Sequence, residues 1–170
     1  AASRGGDELM CSFLLEVLGR FCHEPAMVAA VLRSVRGRVL TGQPACKDLL
    51  REAGLCHRLV ELLSGPLAED VLVAAEACET MAVLSTDSVV NQESLRAAGA
   101  AQAVSDALQL GVDGDRQQDM LHLTVMALQC ASNLAWKNQS GQTELLAAGV
   151  APRVLAAFDR FTQVGRRATF

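Results

Sequence analysis

The sequence contains no tyrosine and no isoleucine, and aromatic residues make up only 4% of its 170 positions. Strands of β-sheets are rich in β-branched and aromatic residues, so this shortage argues against a sheet protein. Hydrophobic residues nevertheless account for 51% of the chain, which is enough to bury a substantial core. A core built from Leu, Val, Ala, Met and Cys suits closely packed helices, and we therefore predict an all-α fold.

An excess of positive charge is also missing. Lys and Arg total 15 against 19 Asp and Glu, and the formal net charge is −4. Broad nucleic-acid binding requires a net basic surface. No stretch reaches the roughly 18 apolar residues that a membrane-spanning helix needs, and the N-terminus lacks the layout of a secretory signal. We expect neither a nucleic-acid nor a membrane partner, and a cytoplasmic location.

Motifs for metal binding and catalysis are absent as well. The six cysteines show no C-x-x-C spacing and are expected to be reduced and buried as small hydrophobic residues. His23, His57 and His122 stand apart, and none has metal-ligand spacing to a Cys or another His. There is no glycine-rich phosphate loop and no G-x-S-x-G turn. The sequence predicts no cofactor, no metal site and no enzymatic activity.

One sequence pattern recurs three times along the chain. The copies align on Gly54, Gly99 and Gly149, each preceded directly by Ala and, four positions earlier, by Leu. Glycine can end one helix with a positive φ while the next helix begins almost at once. The first two glycines are 45 residues apart and the last two 50. A polar, glycine-rich loop over 111–116 accounts for the extra five.

The wording of the third copy identifies a family. Ala127-Leu-Gln-Cys-Ala-Ser-Asn-Leu-Ala135, followed by Ala148-Gly-Val-Ala-Pro152, resembles an armadillo repeat. The resemblance implies a right-handed superhelical α-solenoid of about two full and two partial repeats, and it covers 45–161 well and 7–22 more weakly. We expect a disordered N-terminus over 1–6, a repeat domain over 7–161 and a C-terminal tail over 162–170. The domain divides into a third-helix remnant over 7–22, an extra helix over 26–40, full repeats over 45–85 and 89–136, and a partial repeat over 140–161.

The resemblance also implies a binding surface. In armadillo proteins the third helices line a concave groove that holds extended peptides, and an Asn on the third helix bonds the peptide backbone. Asn133 matches that Asn by position, and an amide offers both a donor and an acceptor to a peptide unit. Aligning the third helices gives a partly acidic groove wall, which favours Lys or Arg in a partner. The candidate groove residues are Glu16, Arg20, Glu79, Val83, Gln129, Asn133 and Trp136.

The helix over 26–40 supplies a second candidate surface. Its valines share one face, and the other face carries Arg33, Arg36 and Arg38. These arginines form either an ordinary solvated face or a docking patch for an acidic partner.

We predict a non-catalytic protein-interaction module, an adaptor or scaffold that binds a peptide or helix along the groove. One alternative is a purely architectural segment of a larger scaffold or kinase-associated protein, with no ligand of its own. The other is a helical-repeat nucleic-acid binder, against which the acidic balance and the shortage of aromatic residues argue.

Overall fold

The structure is a computed structural model that describes residues 2–41, 45–114 and 117–167. Within these residues all regular secondary structure is helical, which confirms the predicted all-α class. None of the helices described is long and apolar enough to cross a membrane. The ten helices are α1 (Ala2–Arg20), α2 (Pro25–Thr41), α3 (Ala45–Glu52), α4 (Leu55–Ser64), α5 (Val71–Ser85), α6 (Val89–Ala97), α7 (Ala100–Asp113), α8 (Gln117–Ala135), α9 (Gln139–Ala147) and α10 (Val150–Arg167).

Three long helices, α2, α5 and α8, pack side by side in that order, and the α5–α8 contact is the most extensive in the molecule. A second layer covers them: α4 packs against α5, α7 packs against α8, and α10 packs against α7. The central helix α5 is buried almost throughout, with only Leu72, Glu79 and Val83 outside its buried set. The core therefore runs along α5 and is closed on either side by α2 and α8.

The three aligned glycines separate the first two helices of their units. Gly54, Gly99 and Gly149 have φ values of 91°, 93° and 77°, in the left-handed region that costs a residue with a Cβ about 1–2 kcal/mol. Each glycine N–H donates to a carbonyl three residues back, on Arg51, Arg96 and Leu146. The helix-ending role predicted for these glycines is confirmed.

The two N-terminal helices correct the sequence interpretation. We predicted that 7–22 is a third-helix remnant and that 26–40 is an extra helix. In the structure α2 lies beside α5 as α5 lies beside α8, whereas α1 packs on α2 and α3. A constant offset of 45 residues relates these helices to α4 and α5, since the buried residues Cys11, Leu14 and Leu18 correspond to the buried residues Cys56, Leu59 and Leu63.

The sequence does not separate the two ways of packing these helices, because both bury a stripe at three- and four-residue spacing. Leu9 stands where the later units have their aligned glycine, so the sequence carries no marker for the start of a second helix there. With α2 as the third helix, 16 residues separate Arg38 from Gly54, as they separate Val83 from Gly99 and Asn133 from Gly149. With this spacing, the helix over 26–40 is no longer an extra element between two units.

Three boundaries also differ from prediction. Helix α1 begins at Ala2, so the predicted disordered segment is helical from its second residue, while residue 1 lies outside the described part. Helix α10 continues to Arg167, and 168–170 of the predicted tail lie outside it too. The predicted loop over 111–116 is helical to Asp113, and 115–116 are not among the described residues.

Gly111 allows two helices to come close. A Cβ at Gly111 would collide with the hydroxyl of Thr124, so glycine there lets α7 approach α8.

Candidate functional site

Asn133 of α8 connects that helix to the end of α5. Its Nδ2 donates to the carbonyl oxygen of Ala82 (2.9 Å) and to Oγ1 of Thr86 (3.0 Å). The Thr86 hydroxyl in turn donates to the same Ala82 carbonyl at 2.8 Å. The amide donor predicted to bind a peptide is therefore used within the chain. Among the described residues no hydrogen bond reaches its Oδ1, which leaves an acceptor on a half-buried side chain.

An open cleft of about 300 Å³ lies beside Asn133, between the C-terminal ends of α5 and α8. Trp136 forms one wall and is 60% exposed, and the ammonium of Lys137 lies 5.6 Å from its ring centroid. Asp87 and Lys137 follow α5 and α8 at equivalent places and share a φ of 52°, so the two helices end in turns of the same kind. The cleft is lined by Ser85, Thr86, Asp87, Gln92, Asn133 and Trp136.

Two side chains from the short helices hold these turns in position. Gln92 is buried and donates from Nε2 to the carbonyl oxygens of Asn133 (2.9 Å) and Trp136 (3.2 Å). Lys47, at the equivalent position of α3, donates to the carbonyl oxygen of Thr86 at 2.7 Å. Burial lowers the pKa of the Lys47 ammonium, and the Asp87 carboxylate acts in the opposite direction. The cleft walls are thus fixed by hydrogen bonds before any ligand arrives.

The chemistry of the cleft favours ligands with N–H donors and positive charge. The C-terminal ends of α5 and α8 meet there, and a helix C-terminus carries a partial negative charge. Asp87 adds an exposed carboxylate, and the open indole face of Trp136 can stack with a flat or cationic group. Lys137 now occupies the cationic position over that ring.

The other groove candidates are only partly brought together. Glu79 and Val83 of α5 lie fifty residues before Gln129 and Asn133 of α8. Glu16 and Arg20 do not join them, because both lie on α1, outside the α2, α5 and α8 layer. Glu16 instead lines a separate cleft between α1 and α4, with Ala53, Gly54, His57, Arg58 and Glu61 among its other residues. The residues of α2 that correspond to Glu79 and Val83 are Ser34 and Arg38.

The three arginines of α2 do not form one exposed basic patch, which corrects the second predicted surface. Arg36 is only 8% exposed, and its guanidinium pairs with Glu76 at 2.6 Å and Glu79 at 2.9 Å. Arg33 pairs with Glu76 at 2.7 Å, and Arg38 pairs with Asp7 at 2.5 Å. Arg33 and Arg36 thus reach α5, whereas Arg38 reaches α1.

Glu76 is the interior residue that the sequence interpretation missed. It is buried within α5 and accepts from two arginines of α2. A single acid between Ala75 and Ala77, in a helix as apolar as α5, was the available signal, because a buried carboxylate needs a paired cation. Arg36 also pairs with Glu79 and partly neutralises it, so the acidity of the groove lies mainly near Asp87.

Five of the six cysteines are buried and all six are free thiols, while Cys22 is half-buried. Burial raises the pKa of the Cys11 and Cys56 thiols to about 11 and that of Cys78 to about 12. Because the thiolate is the reactive form, these thiols are inert at neutral pH. Among the residues the structure describes, no three His, Cys, Asp or Glu side chains converge to hold a metal ion.

Comparisons of the chain with protein-family models, with curated proteins and with solved structures find no match. The helix order and the geometry of the α5–α8 cleft are therefore the observations from which a function has to be argued.

Proposed function

We propose that the chain is an armadillo-type α-solenoid of about two full and two partial repeats that acts as a non-catalytic protein-interaction module. As an adaptor or scaffold, it binds a peptide or helix along the groove of its long helices. Three features support the fold assignment: the recurring order of short, intermediate and long helices, the left-handed glycine between the first two helices of a unit, and the side-by-side packing of α2, α5 and α8.

The observation that carries the function is the cleft beside Asn133 and Trp136. A large aromatic side chain that is 60% exposed, on a backbone whose carbonyl is held by Gln92 and next to an amide acceptor, is typical of a binding site. Tyr, Trp and Arg dominate the energetics of protein interfaces. Preorganisation lowers the cost of binding because little side-chain entropy is lost.

The mode of binding follows from the available groups. A backbone N–H of an extended peptide donates to Oδ1 of Asn133, which needs no rearrangement of the bonds from its Nδ2. A neighbouring side chain lies on the indole of Trp136. Lys or Arg suits this place best, because the Asp87 carboxylate and the two helix C-termini favour a cation. Such a side chain takes the position over the ring that Lys137 now holds.

The groove extends from this cleft along α5 and α8. Glu79, Val83 and Gln129 line its next portion, and Ser34 and Arg38 of α2 replace Glu16 and Arg20 as the continuation. Since Arg36 pairs with Glu79, selectivity for positive charge is expected to be strongest at the cleft and weaker toward α2.

Affinity enrichment from a cell lysate, read by mass spectrometry, tests the proposal. The parent chain is compared with Trp136→Ala and with Leu40→Ala, a matched control that removes another strongly exposed apolar side chain outside the cleft. We expect a partner that the parent and Leu40→Ala recover and Trp136→Ala loses. Equal recovery by all three chains would show that the cleft is not the working surface. Trp136 is a cleaner target than Asn133, whose amide also joins α8 to α5.

A further inference from the structure

One side of α8 carries an exposed apolar stripe. Leu121 and Val125 are 44% and 45% exposed, and Trp136 is 60% exposed. Together with Leu128 and Ser132 they follow one another at steps of four, three, four and four residues, which keeps the first four on one side of α8, and Trp136 follows directly after the last residue of the helix, Ala135. We call Leu121, Val125, Leu128, Ser132 and Trp136 the α8 stripe.

The equivalent stripe on α5 lies fifty residues earlier and is covered by α8. Its members Val71, Ala75, Cys78 and Ala82 are at most 7% exposed, while Thr86, the counterpart of Trp136, is exposed. Two observations identify the cover: α5 and α8 pack along each other, and Asn133 bonds the carbonyl of Ala82. The α8 stripe thus occupies the side that α5 uses to pack against its next neighbour.

The exposed apolar surface continues onto α10. Leu155 and Phe158 are 67% and 59% exposed. Their counterparts fifty residues earlier on α7 are Ser105 and Leu108, both fully buried. Ser105 is covered by the unit that follows it, since its hydroxyl donates to the carbonyl of Ala148 at 2.6 Å. The α8 stripe with Leu155 and Phe158 forms one end face, and an apolar surface of this kind marks an interaction site.

We propose that this end face binds the same face of a second copy of the chain, as a twofold dimer in which the two α8 helices run antiparallel. A twofold interface has to be complementary to itself, and the α8 stripe is. With the axis between Leu128 and Gln129, Val125 lies opposite the small Ser132 of the other copy, and Leu121 lies opposite Trp136. The two Leu128 side chains lie next to each other at the axis, while Val125 and Leu121 each meet a small or flat partner.

The charges of α8 agree with this pairing. Between residues 117 and 136 the only formally charged side chain is Asp119, so the centre of the interface desolvates no charge. The antiparallel register brings Asp119 of one copy to the same end of the interface as Lys137 of the other. Like charges lie far apart and opposite charges lie near each other, which favours self-association over repulsion.

The first test is the mass of the chain in solution, measured by sedimentation equilibrium over a concentration series. The expected result is a reversible shift from one chain mass to two. Val125→Glu raises the dissociation constant about tenfold or more, because a carboxylate is then buried without a partner. The matched control Leu40→Glu makes the same change at an exposed leucine of α2 and leaves the dimer intact. A single chain mass at every concentration overturns the proposal, as does an equal loss in both variants.

The second test fixes the geometry. Val125→Cys and Ser132→Cys are prepared separately and mixed with oxidised glutathione, which accepts the two electrons as one protein disulfide forms and two glutathione thiols are released. The antiparallel register predicts that the intermolecular disulfide joins position 125 of one chain to position 132 of the other and forms mainly in the mixture. A disulfide that forms equally well in Val125→Cys alone indicates a parallel or different arrangement and overturns the pairing.

Discussion

Arg36 brings a positive charge into the interface between α2 and α5. Its guanidinium pairs with Glu76 and Glu79, and it also donates to the carbonyl of Glu76 at 3.2 Å and to the hydroxyl of Thr80 at 3.3 Å. Desolvating such a group is expensive, so the cluster is better understood as a device that fixes the position of α2 on α5 than as a large net source of stability.

Removing one charged side chain from this cluster is expected to lower the free energy of unfolding. Arg36→Ala leaves Glu76 as a buried carboxylate with a single remaining arginine, and we expect a loss of about 3–5 kcal/mol in the free energy of unfolding. The control Arg33→Ala removes a side chain that is half exposed and should cost under about 1 kcal/mol. Urea unfolding followed by circular dichroism measures both, and similar losses would contradict the ranking.

Because several thiols are buried, we expect the folded chain to lose stability in alkaline solution. Burial raises the pKa of Cys11, Cys56 and Cys78 from an ordinary value of 9.0 to about 11, 11 and 12. Above pH 9 the unfolded chain releases these protons while the folded chain keeps them, so stability is full below pH 9 and falls as pH rises toward 11–12. The lowered pKa of Lys47 acts in the opposite sense, but the thiols outnumber it.

The measurement is the urea midpoint at a series of pH values from neutral to strongly alkaline. We expect a plateau near neutrality followed by a steady decline. Cys78→Ala should show a shallower decline, because one of the shifted thiols is gone. A midpoint that stays constant or rises through pH 10 would contradict the assigned burial of these thiols.

At the scale of elements, the turn between the first two helices of each unit depends on glycine. Gly54 has a φ of 91° and no atom near the position of a Cβ, so Gly54→Ala should cost about 1–2 kcal/mol through backbone strain alone. Gly37 lies inside α2 with open space around it, and Gly37→Ala should stabilise the chain by about 0.5–1 kcal/mol through helix propensity. The two identical substitutions are thus expected to move the urea midpoint in opposite directions, and a shared direction would count against the turn geometry.

Some of the helix boundaries could be predicted from the sequence, and the register of the first two helices could not. The helix boundaries at Gly54, Gly99 and Gly149 were predictable, because a position that needs a left-handed backbone favours glycine and the glycine recurs in the sequence. The register of α1 and α2 was not, because Leu9 stands at the glycine position and apolar spacing is alike in second and third helices. The error carried over to function, since it assigned Glu16 and Arg20 to the groove and directed Arg36 outward.

At the cleft, the sequence predicted some of the lining residues but not the hydrogen bonds between them. Asn133 and Trp136 were identified as candidates, but the internal use of the Asn133 amide depends on Thr86, 47 residues away in sequence. The buried Gln92, which holds the end of α8, had no sequence signal, because a polar residue near a helix start normally suggests exposure. Such long-range hydrogen bonds follow only from the packing of α6 and α8.

At the scale of the whole molecule, α8 contributes to both of the proposed binding surfaces. Its C-terminal end forms the cleft proposed to bind a peptide, and its outer side forms the stripe proposed to bind a second copy. Trp136 belongs to both, so dimer formation and peptide binding are expected to influence each other there. Studies of the cleft are therefore best done on Val125→Glu, in which the stripe is blocked and the cleft residues are unchanged.

Trp136 also supplies the most direct test of the peptide-binding proposal. It is the only tryptophan and the chain has no tyrosine, so intrinsic fluorescence reports on the surroundings of Trp136, and the Val125→Glu chain removes the contribution of the dimer. Peptides selected from a random display library on the Val125→Glu chain are titrated into it, with binding measured independently by calorimetry. The account predicts that the selected peptides contain Lys or Arg and change the Trp136 emission with the same saturation curve as the heat of binding. Peptides that bind by calorimetry and leave the emission unchanged, or a selection that yields no binders, would contradict it.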